Sequence, residues 1–243
     1  MPVLPVVRIN QMLNLLTAIL KLYIDRQETV DKASFEKFYI YCMSWAVGGL
    51  FEGEDREKYQ KWIETRNAPL PPISSSKTSV DKETIFDYFV DETTKQWKIW
   101  EAAEWQIPKR IMFSQLLIPT GDSTRAEYIM TKISGLPEWR AKNKKELCHN
   151  NSLLVGGPGT AKTSVILMYT MKFDSEHMLF KRMNFSSATT PLNFQESIEG
   201  ELEKKQVRTF TPPGGKKMTV FVDDLSMPFV NTWGDQITLE ITR

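Results

Sequence analysis

Apolar residues in the first third of the chain recur at helical spacing. Ile9, Leu13, Leu16, Leu20 and Tyr23 follow one another at intervals of four, three, four and three, which lines them along one face of an amphipathic helix. A second helical pattern fills 34–48 and stops at Gly48-Gly49, a natural C-terminal cap. A third, at 56–64, is short and charged. The heptads do not persist, so the pattern predicts a small helical bundle with one core rather than a coiled coil. Residues 66–82, rich in proline and serine, read as a linker or long loop. Alternating aromatics at 84–91 predict a strand. Trp97, Trp100 and Trp105 follow it, and their mixed-charge flanks favour packing over stacking on bases.

From about residue 110 the pattern changes to alternating strand and helix. The short apolar run 152–156 (SLLVG) predicts a buried parallel strand. Residues 163–171 are apolar nearly all round, as in a helix covered on several sides. The run 177–186 is strand-like, and Thr189-Thr190-Pro191 predicts a helix start with the proline in the first turn. Leu192, Ile198 and Leu202 are expected to share one face of that helix, with Phe194 beside them. The stretch 211–217 (TPPGGKK) reads as a turn, and 218–224 (MTVFVDD) as a strand ending in two carboxylates. This alternation argues for a right-handed parallel α/β sheet. No internal repeat is seen.

Composition narrows the picture by exclusion. The 243 residues, 41% hydrophobic and 25% charged, suit one large domain or two small ones. A net charge of +1 gives no electrostatic reason to expect a nucleic-acid partner. No apolar run reaches the roughly 18 residues of a membrane span, so no membrane partner is expected. Cys42 and Cys148 fit no metal or redox spacing, and a reducing cytosolic compartment is the expectation. His149 and His177 are expected to be structural, with no ligand cluster around them.

The chemistry is concentrated at 155–165, VGGPGTAKTSV. A strand ends, glycines let the backbone curl, and a helix begins, so amide N–H groups and the helix dipole can hold phosphate oxygens. Lys162 is placed to reach the β- and γ-phosphates, and the Thr163 hydroxyl to ligate Mg²⁺. Ala161 stands where the usual phosphate-loop pattern has its second glycine. Alanine there costs little if it already lies in the first right-handed turn of the helix. Further along, Thr219 to Val222 lead into Asp223-Asp224. An acid at a strand end suits Mg²⁺ held through water, and the next acid takes the place of a general base. Asp224 is one methylene shorter than the glutamate usual there, and a base displaced by about 1 Å can cost on the order of 10²-fold in rate. A slow or largely non-hydrolysing site is the expectation.

GGPGTAKT and VFVDDLSMP, joined by MNFSSATTP and PPGGKKM and followed by WGDQITLEITR, closely resemble the third AAA+ module of axonemal dynein heavy chains. LLIPTGDSTR (116–125) resembles that family's adenine-packing segment, and residues 38–63 look like the helical lid of the preceding module. The resemblance covers nearly the whole chain. It implies a lid subdomain at 1–65, a tryptophan-rich join at 66–109 and an α/β P-loop AAA+ large subdomain at 110–243. That subdomain is a three-layer parallel sheet, incomplete for want of strands four and five. It also implies ATP or ADP with Mg²⁺ as cofactors. Ile118, Pro119 and Thr120 would line the base pocket. Gly156, Gly157, Pro158, Gly159, Thr160, Ala161, Lys162, Thr163 and Ser164 would hold phosphate, Thr163 and Asp223 would hold metal, and Asp224 would be the weakened base. The implied partners are the other AAA+ modules of a motor ring, dynein intermediate and light chains, and microtubules, in the cytoplasm, cytoskeleton and ciliary axoneme. The chain is expected to be a fragment or truncated product without motor activity of its own. A non-motor interaction fragment and an independent P-loop NTPase remain the alternatives.

Overall fold

A computed structural model describes residues 4–73, 83–102, 104–105, 116–134, 151–206 and 209–241. The chain divides into two compact units, Met1–Val165 and Ile166–Arg243. Among the described residues no helix is long and apolar enough to cross a membrane.

The first unit is built on helices. Helix α1 (Pro5–Asp25) begins with proline in its first turn, α2 (Lys32–Met43) is capped by the Asp31 carboxylate accepting from Ser34 N–H, and α3 is Gly53–Glu64. Between α2 and α3 the backbone widens into a π-turn at Ser44–Gly48. A side chain on Gly48 would lie 2.5 Å from the Phe86 ring, so the pattern's predicted stop at Gly48-Gly49 is also a packing requirement.

The apolar face of α1 is rotated from the one its spacing predicts. Leu15, Leu16, Ile19 and Tyr23 are buried, while Ile9 and Leu13 are exposed. The seam turns because α1 packs against α2 and also against α4 (Gly121–Ser134). Tyr23, Phe38, Tyr41, Cys42 and Val90 complete this core. Cys42 is a fully buried free cysteine, and burial pushes its thiol well above the usual range, which makes it unreactive. Cys148 and His149 lie outside the described residues.

A short antiparallel hairpin, β1 (Tyr88–Val90) and β2 (Trp97–Ile99), belongs to the same core. Ile85 and Phe86 pack with Ile40, Tyr59 and Ile63. Trp97 packs against both apolar clusters, and Trp100 stacks on Phe89 with ring centres 4.3 Å apart, so these two tryptophans serve packing. Trp105 is exposed. The described part of the proline-rich stretch is not slack chain. Ala68 and Leu70 pack on the core, the Pro69 carbonyl accepts from Trp97 Nε1 at 2.8 Å, and the Pro72 carbonyl accepts from Tyr88 at 3.2 Å.

Helix α4 is tied to this hairpin by charge. Arg125 donates to Asp87 and to the Phe86 carbonyl, both at 2.9 Å. The Glu92 carboxylate accepts from Tyr128 at 2.6 Å and from Lys132 at 2.7 Å.

The predicted strand at 152–156 does not form. Residues 151–157 carry no regular structure, and Leu153 and Val155 are 72% and 78% exposed. A buried parallel strand exists only where a neighbour completes its ladder, and among the described residues none pairs with this run.

Helix α5 (Lys162–Thr170) spans the division between the units. The second unit contains a parallel pair, β3 (Met178–Asn184) and β6 (Lys217–Asp223), in register from Met178↔Lys217 to Asn184↔Asp223. Between them lie α6 (Pro191–Glu199), an antiparallel hairpin of β4 (Glu203–Gln206) with β5 (Thr209–Thr211), and a turn at Pro213–Gly215. Thr190 caps α6 by accepting from Asn193 N–H, and Pro191 opens it, as the sequence predicts. The expected apolar face of α6 is wrong in two respects, the first being that Leu202 lies beyond the helix, which ends at Glu199. Leu192 is exposed, and Phe194 is the buried residue, edge-on to Phe185 at 5.4 Å. Tyr169, Phe173, Phe180 and Phe221 form a continuous chain of ring contacts from α5 to the sheet. The short helix α7 (Ile237–Glu240) packs against α6, its Thr238 hydroxyl donating to the Thr189 carbonyl at 2.9 Å. Helices with a small parallel sheet make this a mixed α/β fold, consistent with an incomplete AAA+ sheet.

Candidate functional site

The glycine-rich loop closes around its own lysine. Lys162 Nζ donates to the carbonyls of Gly156 at 2.9 Å and Gly157 at 2.5 Å, and to Thr160 Oγ1 at 3.2 Å. Thr160 in turn donates to the Gly157 carbonyl at 2.9 Å. A Cβ on Gly156 would meet Thr160 Oγ1 at 3.0 Å, a tight contact that would press on the hydroxyl where the loop folds inward. Gly159 has φ of +74°, which glycine adopts without strain, and open space lies beside it.

The first backbone bond of α5 runs from Val165 N–H to the Ala161 carbonyl at 3.0 Å. The amides of Lys162, Thr163 and Ser164 therefore precede the helical ladder and face the loop's end of the dipole. This donor set fits an anion of phosphate type: a flexible ammonium, a helix N-terminus, and a loop from Gly156 to Thr160 that is exposed throughout. Pro158 sits at the loop's turn.

Ala161 does not meet the condition under which alanine would cost little here. Its φ is +57°, left-handed rather than the right-handed first turn of a helix. For an L-residue that region costs roughly 1–2 kcal/mol.

The other half of the predicted site lies at the end of β6, in the second unit, and forms its own cluster. Asp223 is the last residue of the strand, and its carboxylate is engaged at both oxygens. Arg182 Nη2 donates to Asp223 Oδ2 at 3.0 Å, and Asp224 N–H donates to Asp223 Oδ1 at 3.2 Å. Asp224 is exposed, with φ of +54°, a conformation that aspartate tolerates better than most residues. Arg182 did not emerge from the sequence. The signal was a cation near the end of the strand neighbouring the acid's own, which only the register reveals.

Ile118, Pro119 and Thr120 precede α4. Ile118 and Thr120 are exposed. Thr120 shapes the helix start reciprocally, its N–H donating to Ser123 Oγ at 2.8 Å and its Oγ1 accepting from Ser123 N–H at 3.2 Å.

His177 is less isolated than the sequence suggested. Its Nδ1 lies 2.8 Å from Asp174 Oδ2, and Glu176 is close enough for the three to present ligand atoms within 4.8 Å of one another. The cluster arises because a tight turn gathers residues i, i+2 and i+3. Asp174 is used within that turn, its Oδ1 accepting from Glu176 N–H at 3.0 Å.

Comparison with known proteins accounts for both halves of the chain. Residues 105–243 match the P-loop containing dynein motor region, and residues 1–102 match the dynein heavy chain AAA lid domain. The dynein gamma chain of the flagellar outer arm of Chlamydomonas reinhardtii is 39% identical over 240 residues, 97% of this chain and 5% of the relative. Dynein axonemal heavy chain 5 of Rattus norvegicus is 38% identical over 221 residues, 88% of this chain and 6% of its own length. Dynein axonemal heavy chain 8 of Homo sapiens is 36% identical over 211 residues, 85% of this chain and 4% of its own. The chain thus spans about one-twentieth of these relatives' length. With its phosphate-type loop inside one matched region and its lid-like helices inside the other, the chain belongs to the dynein heavy-chain family.

Proposed function

We propose that this chain is the ATP- or ADP-binding joint between two AAA+ modules of an axonemal dynein motor ring. Its site is regulatory and hydrolyses weakly. The observation that carries this reading is the loop at 156–163, which already wraps three oxygens around the Lys162 ammonium at the start of a helix.

Gly156 to Ser164 contact the phosphates, and Lys162 exchanges loop carbonyls for phosphate oxygens. Thr163 and Asp223 hold Mg²⁺, Ile118, Pro119 and Thr120 line the base, and Asp224 orients water as a shortened base. Bound Mg-ATP supplies the phosphoanhydride bond and a charge that differs before and after hydrolysis. Regulation requires that the nucleotide favour one ring state over another by differential affinity. In the longer chain the partners are neighbouring AAA+ modules, intermediate and light chains, and microtubules of a cilium or flagellum. The lid occupies 1–65, the join 66–109 and the large subdomain 110–243.

The test uses these 243 residues grafted in place of the aligned segment in the P-loop module of the Chlamydomonas relative. Calorimetry is expected to show Mg-ATP binding that Lys162→Ala abolishes; equal heats for the two proteins would overturn the site. In the same graft, Asp224→Glu is expected to raise the hydrolysis rate. An unchanged or lower rate would remove the short base as the reason for weak turnover.

A further inference from the structure

We propose that Arg182 is a positioning residue that latches the metal-binding carboxylate, and so raises the Mg²⁺ concentration at which this site takes nucleotide. The inference rests on the reading that Asp223 holds Mg²⁺.

The latch follows from the β3–β6 register. Asn184 stands opposite Asp223, and Arg182 stands two residues earlier, opposite Phe221. Alternate residues of a strand share a face, so Arg182 and Asn184 rise on the same side. The guanidinium is fixed at three points. It donates to Asp223 Oδ2 at 3.0 Å through Nη2 and to Asn184 Oδ1 at 3.2 Å through Nε, and it lies 5.8 Å from the Phe221 ring centre. Phe221 is buried and the Asp223 side chain is 18% exposed, against 38% for Arg182, so the carboxylate end of the pair is the shielded one. Shielding strengthens the attraction relative to a pair in open water.

The second oxygen is also committed. Asp224 N–H donates to Asp223 Oδ1, and the left-handed backbone at Asp224 accompanies that contact. A divalent cation, or a water bound to it, must therefore draw Asp223 away from the guanidinium or share the carboxylate with it. In the first case the ion pair is lost. In the second a positive charge stays close to the metal. Both outcomes weaken the metal's hold. The benefit is order: with no cation present, Arg182 neutralises Asp223 and keeps its rotamer, so the end of β6 does not rearrange.

The readout is Mg²⁺ dependence of nucleotide affinity, not turnover. In the grafted module, binding of a fluorescent ADP analogue is titrated with MgCl₂ for the parent, Arg182→Gln, Arg182→Lys and Asp223→Asn. Arg182→Gln is expected to lower the half-saturating Mg²⁺ by roughly 10-fold, the scale of one water-screened charge a few ångströms away. Arg182→Lys, which keeps the charge but loses the fork, is expected to fall between. Affinity measured without Mg²⁺ shows that each variant remains folded at the loop. A midpoint unchanged in both arginine variants, while Asp223→Asn shifts it, overturns the latch and leaves the metal assignment standing. A midpoint indifferent to Asp223→Asn overturns both.

Discussion

Ala161 strains the loop at the position where related phosphate loops use glycine. Its left-handed backbone costs roughly 1–2 kcal/mol relative to a relaxed conformation. Replacing it with glycine removes that strain but adds roughly 0.4–1 kcal/mol of unfolded-state entropy. The balance favours glycine by between about 0 and about 1.6 kcal/mol. Ala161→Gly is thus expected to raise the denaturant midpoint slightly without altering which atoms Lys162 contacts. A lower midpoint would show that the loop is held in another conformation. Asp224 has the same backbone hand at lower cost, because its short carboxylate tolerates that region. Glutamate at 224 gains reach for catalysis and loses some of this tolerance, so its expected rate gain comes with reduced stability.

At the scale of elements, the β1–β2 turn carries a pH signature. Asp91 Oδ1 accepts from Thr93 N–H at 2.7 Å and Thr94 N–H at 3.0 Å, and Oδ2 pairs with the Lys98 ammonium. Lys98 first, then the Thr94 amide, hold the carboxyl down at about 2. A carboxyl depressed in the folded state stabilises the fold fully above its unfolded value near 3.9. That contribution begins to be lost below about 4 and goes on falling through about 2. Asp91→Asn is expected to cost on the order of 1 kcal/mol at pH 7, and the difference from the parent is expected to shrink to a minor fraction of that by pH 2, where the folded carboxyl is half-protonated. Urea midpoints measured at both pH values decide it; a gap independent of pH would place the turn's stability elsewhere.

The same scale shows what the sequence could and could not reveal. Strands β3 and β6 were legible because their apolar runs end in turn residues and carboxylates. The 152–156 run carries the same signal but has no partner among the described residues, and pairing is not written in a single segment. The hairpin β4–β5 is not legible because Glu203–Gln206 is wholly exposed and lacks alternation. The α1 face was misplaced by one row because a second neighbour, α4, pulls the seam round. At the site, the residue types around Lys162 were legible from the loop's spelling. Arg182 was not, since only the parallel register sets it beside Asp223.

At the scale of the whole molecule, apolar side chains lie open to association. Among the described residues, Leu153 and Val155 lie largely exposed on a run with no strand partner, and β6 pairs only with β3. Phe229 and Trp233, the latter 88% exposed, add apolar surface after the β6 strand. Unpaired strand-forming segments with apolar side chains recruit other chains through backbone hydrogen bonds, and lysine on such an edge opposes this. The 243-residue chain is therefore expected to self-associate at micromolar concentration. Sedimentation velocity is expected to show a weight-average mass that rises with loading concentration. The double variant Leu153→Lys, Val155→Lys places two charges on the run without touching the Lys162 contacts, and is expected to shift the distribution toward monomer. The single variant Trp233→Ser separates the two sources, since it removes apolar area and leaves the run at 152–156 intact. If the parent sediments as a monomer at every concentration, the open run is not an association site. If only Trp233→Ser changes the distribution, the contact is made by side-chain burial rather than by strand pairing.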